Sequence, residues 1–181
     1  MFSFFRKKTN PAIEPLYQTV IAQARTPIFY QSYGVPDTLD GRFDMIVFHL
    51  TPLIDQLRDE EGAITPDGQA LFDRFVDDME DNLRTLGVGD TSVPKKMKKM
   101  GEAFYGRFAA YREAFDNDDS LRTAIARNVL GAESLADEAA TAALAEYARA
   151  MRASAEASDV LSGFAFPDPE EFLPAPEGVR S

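Results

Sequence analysis

The sequence predicts an all-α fold, a single-domain bundle of about six helices. Three observations carry this. Apolar residues recur at spacings of three and four in each long segment, without sustained alternation. Proline, glycine and hydroxyl or acidic residues stand where those segments begin and end. A length of 181 residues suits one domain with a sizeable core. The expected organisation is an N-terminal arm over 1–10, a helical domain over 11–157 and a proline-rich tail over 158–181.

The first helix is expected from Pro11 to Ala24, with Pro11 and Pro15 tolerated near its first turn. Arg25 to Asp40 read as an ordered loop broken by Pro27, Gly34 and Pro36. Its Ile28, Phe29, Tyr30, Tyr33 and Val35 are too apolar for a solvated linker. A second helix is expected over Gly41–Arg58, capped by Asp40. Phe43, Ile46, Val47, Leu50, Leu53 and Leu57 form its core stripe. Met45 and Phe48 lie outside that stripe, which predicts burial on most sides. Pro52 should kink or split this helix, since it removes a hydrogen bond and crowds the preceding turn.

The third helix is expected over Pro66–Leu86, with Thr65 as cap and Gly87 as left-handed stop. Phe72, Phe75, Val76, Met79, Leu83 and Leu86 line one face; Asp73, Asp77, Asp78, Glu80 and Asp81 line the other. The fourth, Pro94–Phe115, carries Met97, Met100, Phe104, Phe108, Tyr111 and Phe115 on one face. These two should form an antiparallel hairpin. A fifth follows over Ser120–Leu130. An alanine-rich sixth, from Ser134 to Ala157, leans on Leu135, Leu144, Tyr147 and Met151. In the tail, Phe164, Phe166, Phe172 and Leu173 are expected to fold back onto the domain, with a docking motif as the other reading.

Composition narrows the chemistry. The chain has no cysteine, one histidine and a formal charge of -11. Disulfides, thiolate metal sites and multi-histidine sites are thereby excluded. The acidic total argues against DNA binding. No cofactor is expected. The most apolar run, Met45–Leu57, is short and contains His49 and Asp55, whereas a membrane span needs about 20 apolar residues. The opening MFSFFRKK does not read as a secretory signal. Its Phe2, Phe4, Phe5, Arg6, Lys7 and Lys8 suit either a frayed terminus or a weak contact with an anionic membrane surface. Asp116–Asp119 begins like a calcium loop, but Leu121 and Arg127 stand where that loop needs glycine and glutamate. The acidic stripe reads as a solvated face.

Two features invite a functional reading. Lys95, Lys96, Lys98 and Lys99 open a helix, where the backbone dipole favours acids. Either they bind a partner, or they neutralise Asp78 and Asp81 across the hairpin. Met97 and Met100 beside them suit core packing or an adaptable apolar surface. His49 falls beside the core stripe on the helical wheel. It reads first as a structural histidine and second as a partner or haem contact.

Several blocks, taken in order, resemble the ubiquinol–cytochrome c reductase assembly chaperones. They are LYQTVIAQAR (Leu16–Arg25), PIFYQSYGVPDTLDGRFDM (Pro27–Met45) with His49 following, QALFDRFVDDMEDNLRTLGVGD (Gln69–Asp90), VPKKMKKMGEAFYGR (Val93–Arg107) and RN at Arg127–Asn128. The resemblance runs from Leu16 to Asn128 and leaves the alanine-rich helix and the tail outside it. It implies an all-helical, non-enzymatic bacterial chaperone for cytochrome b or an early assembly intermediate of the cytochrome bc1 complex. A ribosome or small second subunit is a further implied partner. The implied location is cytoplasmic, with peripheral contact at the inner-membrane face. The positions it carries over are Phe29, Tyr30, Pro36, Asp37, Gly41, Arg42, His49, Gly87, Gly89, Asp90, Pro94, Lys95, Lys98, Phe104, Tyr105, Gly106 and Arg107. Gly41, Gly87 and Gly89 are expected to serve backbone geometry. Partner contact is expected of Arg42, His49, the four lysines, Tyr105 and Arg107. Two alternatives from other classes are a small helical enzyme with an acid–base site near His49 and a generic helical adaptor.

Overall fold

A computed structural model describes residues 10–131 and 138–174. Among these, seven α-helices form: α1 Ile13–Ala24, α2 Pro27–Gln31, α3 Leu39–Gln56, α4 Pro66–Thr85, α5 Val93–Ala114, α6 Asp118–Asn128 and α7 Glu138–Glu156. Two 3₁₀ turns follow, Val160–Ser162 and Pro169–Phe172. No strand forms among the described residues; one isolated antiparallel bridge joins Arg58 and Ile64. The N-terminal arm through residue 9, Ser134, Leu135 and the tail's last residues from 175 lie outside the described residues.

The helix starts follow side-chain capping. Thr38, Thr65 and Asn117 each accept a hydrogen bond from the backbone N–H three residues on, satisfying a donor the helix itself leaves open. Thr38 therefore replaces Asp40 as the cap of α3. Asp40 lies in the first turn, where its charge suits the dipole. The segment expected to be loop from Arg25 contains the short helix α2, because Pro27 is preset for a first helical position. Pro52 does not split α3, which runs on to Gln56. Beside it, Thr51 donates to the carbonyl of Val47 at 2.8 Å.

α3 is the axis of the molecule. From Met45 to Ile54 every residue is buried, because α1, α4, α5 and α7 all pack against it. α6 bridges α5 and α7. The ring around α3 is then closed by the tail, whose turns lie on α1, α2 and α7. Phe164 and Pro169 are buried there, and Phe166, Phe172 and Leu173 half-buried. The expected fold-back of the tail is thus present. The alanines of α7 do more than favour helix. Ala143, Ala145, Ala148 and Ala155 are buried with Leu144, Tyr147 and Met151, and their small side chains permit close approach to α3 and α6. Each fully buried Leu or Met contributes on the order of 1.5–3 kcal/mol.

No helix among the described residues is long and apolar enough to cross a membrane.

Candidate functional site

The α4–α5 hairpin ends in a rigid turn. Gly87 has φ +79°. Its N–H bonds to the carbonyl of Arg84 at 2.9 Å, and Val88 N–H to that of Leu83 at 3.0 Å. This double closure needs a left-handed residue just past the helix. Arg84 binds Glu80 at 2.7 Å and also pairs with Asp90, so Asp90 ties the loop to α4. Gly89 has neither a positive φ nor a neighbour that a Cβ would meet, so backbone geometry does not explain it. Farther along the hairpin, α4 and α5 are joined by aromatic contacts: Phe72 with Phe104 at 4.8 Å and Phe75 with Phe104 at 5.3 Å.

On this support stand Lys95, Lys96, Lys98 and Lys99, all exposed. At about 100° per residue they share one arc of α5, opposite Met97, Met100 and Phe104. Both methionines are half-buried against the core. Of the two readings of the lysines, the pairing with Asp78 and Asp81 does not occur among the described residues. Asp78 accepts from Tyr17 at 2.9 Å and faces Arg74 at 3.9 Å. Among the described residues, the only ion pair of these lysines is Lys98 with Glu102, at 3.9 Å. The outward direction of the lysine arc is the reason.

Two large apolar groups are exposed on the hairpin, one at the turn and one halfway along α5. Tyr105, 56 % exposed, lies two turns beyond Lys98 on the same flank and touches Phe72 at 5.5 Å. Leu86 was expected in the core stripe of its helix, but it is 58 % exposed. It sits at the C-cap, where the chain has already left the helical path.

The other expected positions lie elsewhere. Arg42 is exposed and paired with Asp37 at 2.8 Å. Pro36 is exposed on the loop before α3, and Gly41 is buried beneath it. A Cβ on Gly41 would stand 2.0 Å from the Pro36 carbonyl oxygen, so glycine is required for this approach. Tyr30 is half-buried and donates to the Ala24 carbonyl at 2.6 Å. Arg107 faces Asp44 at 2.7 Å, half-buried between α3 and α5. The contact is close but not aligned as a hydrogen bond. Burial pushes the Asp44 carboxyl up to about 6, against the opposing pull of Arg107.

His49 is in the core, with no exposed surface. Nδ1–H donates to the Met45 carbonyl at 2.8 Å, and Nε2 accepts from the Tyr147 hydroxyl at 3.0 Å. Gln23 donates to that hydroxyl at 2.9 Å and lies 3.4 Å from the Pro167 carbonyl. Phe29, itself fully buried, packs against the imidazole at 5.3 Å. Burial holds the imidazole neutral, lowering its pKa to about 4. With the tail in place, a ring with both nitrogens engaged and no accessible edge offers no surface contact to a partner. This corrects its expected place in the partner face. The sequence signal was present: Met45 and Phe48, outside the apolar stripe, already marked α3 as enclosed. The network around His49, through Tyr147 and Gln23, joins positions far apart in sequence and had no local signature.

No group of three or more His, Asp or Glu able to hold a metal ion occurs among the described residues.

Residues 31–161 match the family model described as ubiquinol-cytochrome C chaperone. The match takes in α7, which was expected to fall outside the family region. Its intimate packing on α3 makes it part of the same unit. The ubiquinol-cytochrome-c reductase complex assembly factor 1 of Xenopus laevis is 25 % identical over 103 residues, covering 56 % of this chain and 52 % of that protein. The chain thus spans about half the length of that curated relative. The crystal structure of the Cbp3 homolog from Brucella abortus superposes with a TM-score of 0.76 at 30 % identity, covering 90 % of this chain and 92 % of the other. With its matching region extending over most of the helical domain and a solved relative of the same fold, the chain belongs to the ubiquinol–cytochrome c chaperone family.

Proposed function

We propose that this protein is an assembly chaperone for the ubiquinol–cytochrome c reductase complex, and that it engages cytochrome b or an early intermediate containing it. It works from the cytoplasm at the inner-membrane face. The basic face of α5 makes the contact, with Tyr105 and Leu86 beside it. Family membership supports the role. The observation that carries the surface is a run of lysines on a rigid hairpin, pointing outward without strong internal partners, in a chain of charge -11. Such a patch orients an otherwise acidic protein towards an acidic loop of its client and adds salt-sensitive attraction. Half-buried methionines under charged arms give that face an adaptable apolar base.

The test is a variant with Lys95→Glu, Lys96→Glu and Lys99→Glu, and with Lys98→Gln because Glu102 lies beside it. Acids suit a helix N-terminus, so the melting temperature should hold or rise slightly. Capture of cytochrome b from solubilised membranes should fall at least tenfold, and native capture should weaken with added salt. Unchanged capture by the folded variant contradicts the proposed surface.

A further inference from the structure

We propose that the groove now filled by the chain's own residues 164–173 is a seat for an extended, aromatic- and proline-containing segment of the client polypeptide. The tail is its resting occupant. This rests on the chaperone reading above and adds a second contact, remote in sequence from the lysine face.

The occupant shows what the groove recognises. Phe164 and Phe166 alternate along the tail and meet edge to face at 4.8 Å. Phe166 stands on the His49 ring at 5.1 Å, and Phe172 on Tyr147 at 5.6 Å. The floor is therefore aromatic and sits beside the neutral His49–Tyr147 network. Among the described residues, the side-chain hydrogen bonds from the groove to the tail go to main-chain carbonyls. Tyr33 donates to the carbonyl of Pro169 at 2.6 Å, and Gln23 approaches that of Pro167 at 3.4 Å. Carbonyls belong to every polypeptide, and prolines ask for no N–H acceptor. A groove that reads carbonyls and apolar side chains accepts many sequences, as a chaperone's client site must.

The occupant is held by side-chain packing, with Phe164 and Pro169 buried, rather than by main-chain ties. Among the described residues no backbone-to-backbone hydrogen bond joins 159–174 to a helix; its own such bonds are local, such as Ser162 to Asp159 and Leu173 to Glu170. Phe166, Phe172 and Leu173 remain half-buried. Segments with few main-chain ties open locally without unfolding the remainder. The family match spans residues 31–161, so Tyr33, His49 and Tyr147 of the groove lie inside it and residues 164–173 beyond it. A tethered occupant acts at an effective concentration on the order of millimolar. It keeps the aromatic floor covered until a client segment displaces it.

The test uses the full chain. The probe is a fluorescein-labelled peptide of about a dozen residues with a Phe-Ala-Phe-Pro core and unrelated flanks; its serine-substituted form is the control. In the full-length double variant Phe166→Ala and Phe172→Ala, probe affinity should rise at least tenfold over the native chain. An unlabelled peptide of residues 163–174 should compete it off. No gain in a variant whose circular dichroism is native overturns the proposal. So does binding that the tail peptide fails to displace, or tail exchange between two copies seen as a dimer by sedimentation. Should the variant lose its helices, hydrogen exchange on the native chain decides. The probe must then accelerate exchange of the tail amides while leaving α3 protected, and unchanged tail exchange overturns the proposal. None of these readouts involves the assembled reductase, so failure here is distinguishable from failure of the chaperone reading.

Discussion

His49 and Asp44, five residues apart on α3, respond to pH in opposite senses. Burial lowers the folded pKa of His49 from 6.5 to about 4. Its contribution is therefore complete above pH 6.5 and is lost as pH falls towards 4, because the unfolded chain takes the proton first. Burial raises Asp44 from 3.8 to about 6 despite Arg107. Its contribution is present at low pH and lost as pH rises through 6. Between pH 6 and 5 the two should largely cancel. His49→Gln should then gain roughly 1 kcal/mol on acidification over that interval, and Asp44→Asn should lose about as much. Urea unfolding at the two pH values reads both; equal slopes in native chain and variants would reject the assignment. Gly41 offers a steric test at the same scale. Gly41→Ala puts a methyl 2.0 Å from the Pro36 oxygen, and the backbone shift should cost about 1–3 kcal/mol by urea unfolding. Stability equal to native would show that the loop yields freely. The requirement at Gly41 and a structural His49 were both legible in the sequence; the partners that bury His49, Tyr147 and Phe29, were not. A helical wheel sorts residues into one apolar face and the rest, and α3 has no outer face along its middle.

At the scale of elements, the long helices were legible because each carries its own punctuation. Thr65, Pro66 and Gly87 bound α4, and spacings of three and four mark its buried side. What was not legible depends on contacts between elements. α2 is too short to show a period, and its proline and glycine neighbours suggested loop. The lysines were balanced between partner and internal pairing, since sequence places them near Asp78 without giving their direction. α7 has few large apolar residues to mark a buried face in the sequence. Its alanines are instead the contact surface, which predicts intolerance to size. Ala148, fully buried, should destabilise by about 1–3 kcal/mol as Ala148→Leu through overpacking, whereas a leucine at the exposed Ala139 should change little. Thermal melts of the pair check this, and equal tolerance would contradict the close packing of α7.

Across the whole molecule, α3 supplies a rigid axis, the hairpin presents its cations at one end, and the tail seals the ring on another side. A rigid body bearing an outward basic face suits recruitment of an acidic or membrane-bound client. The fold class was readable because every long segment agreed on one period. The closure of the ring by Phe164–Leu173 was expected only as one of two fates for the tail. Its seat, formed by residues from α1, α2, α3 and α7, exists only in the folded chain. The central claim is that the protein serves assembly of the ubiquinol–cytochrome c reductase complex. It is tested most directly by the amount of assembled complex in membranes of a strain lacking this gene, measured by haem b spectra and ubiquinol–cytochrome c activity against other respiratory complexes. The account predicts a selective loss of both signals, restored by the native gene. Normal haem b and normal activity in a strain without a duplicate gene would contradict it.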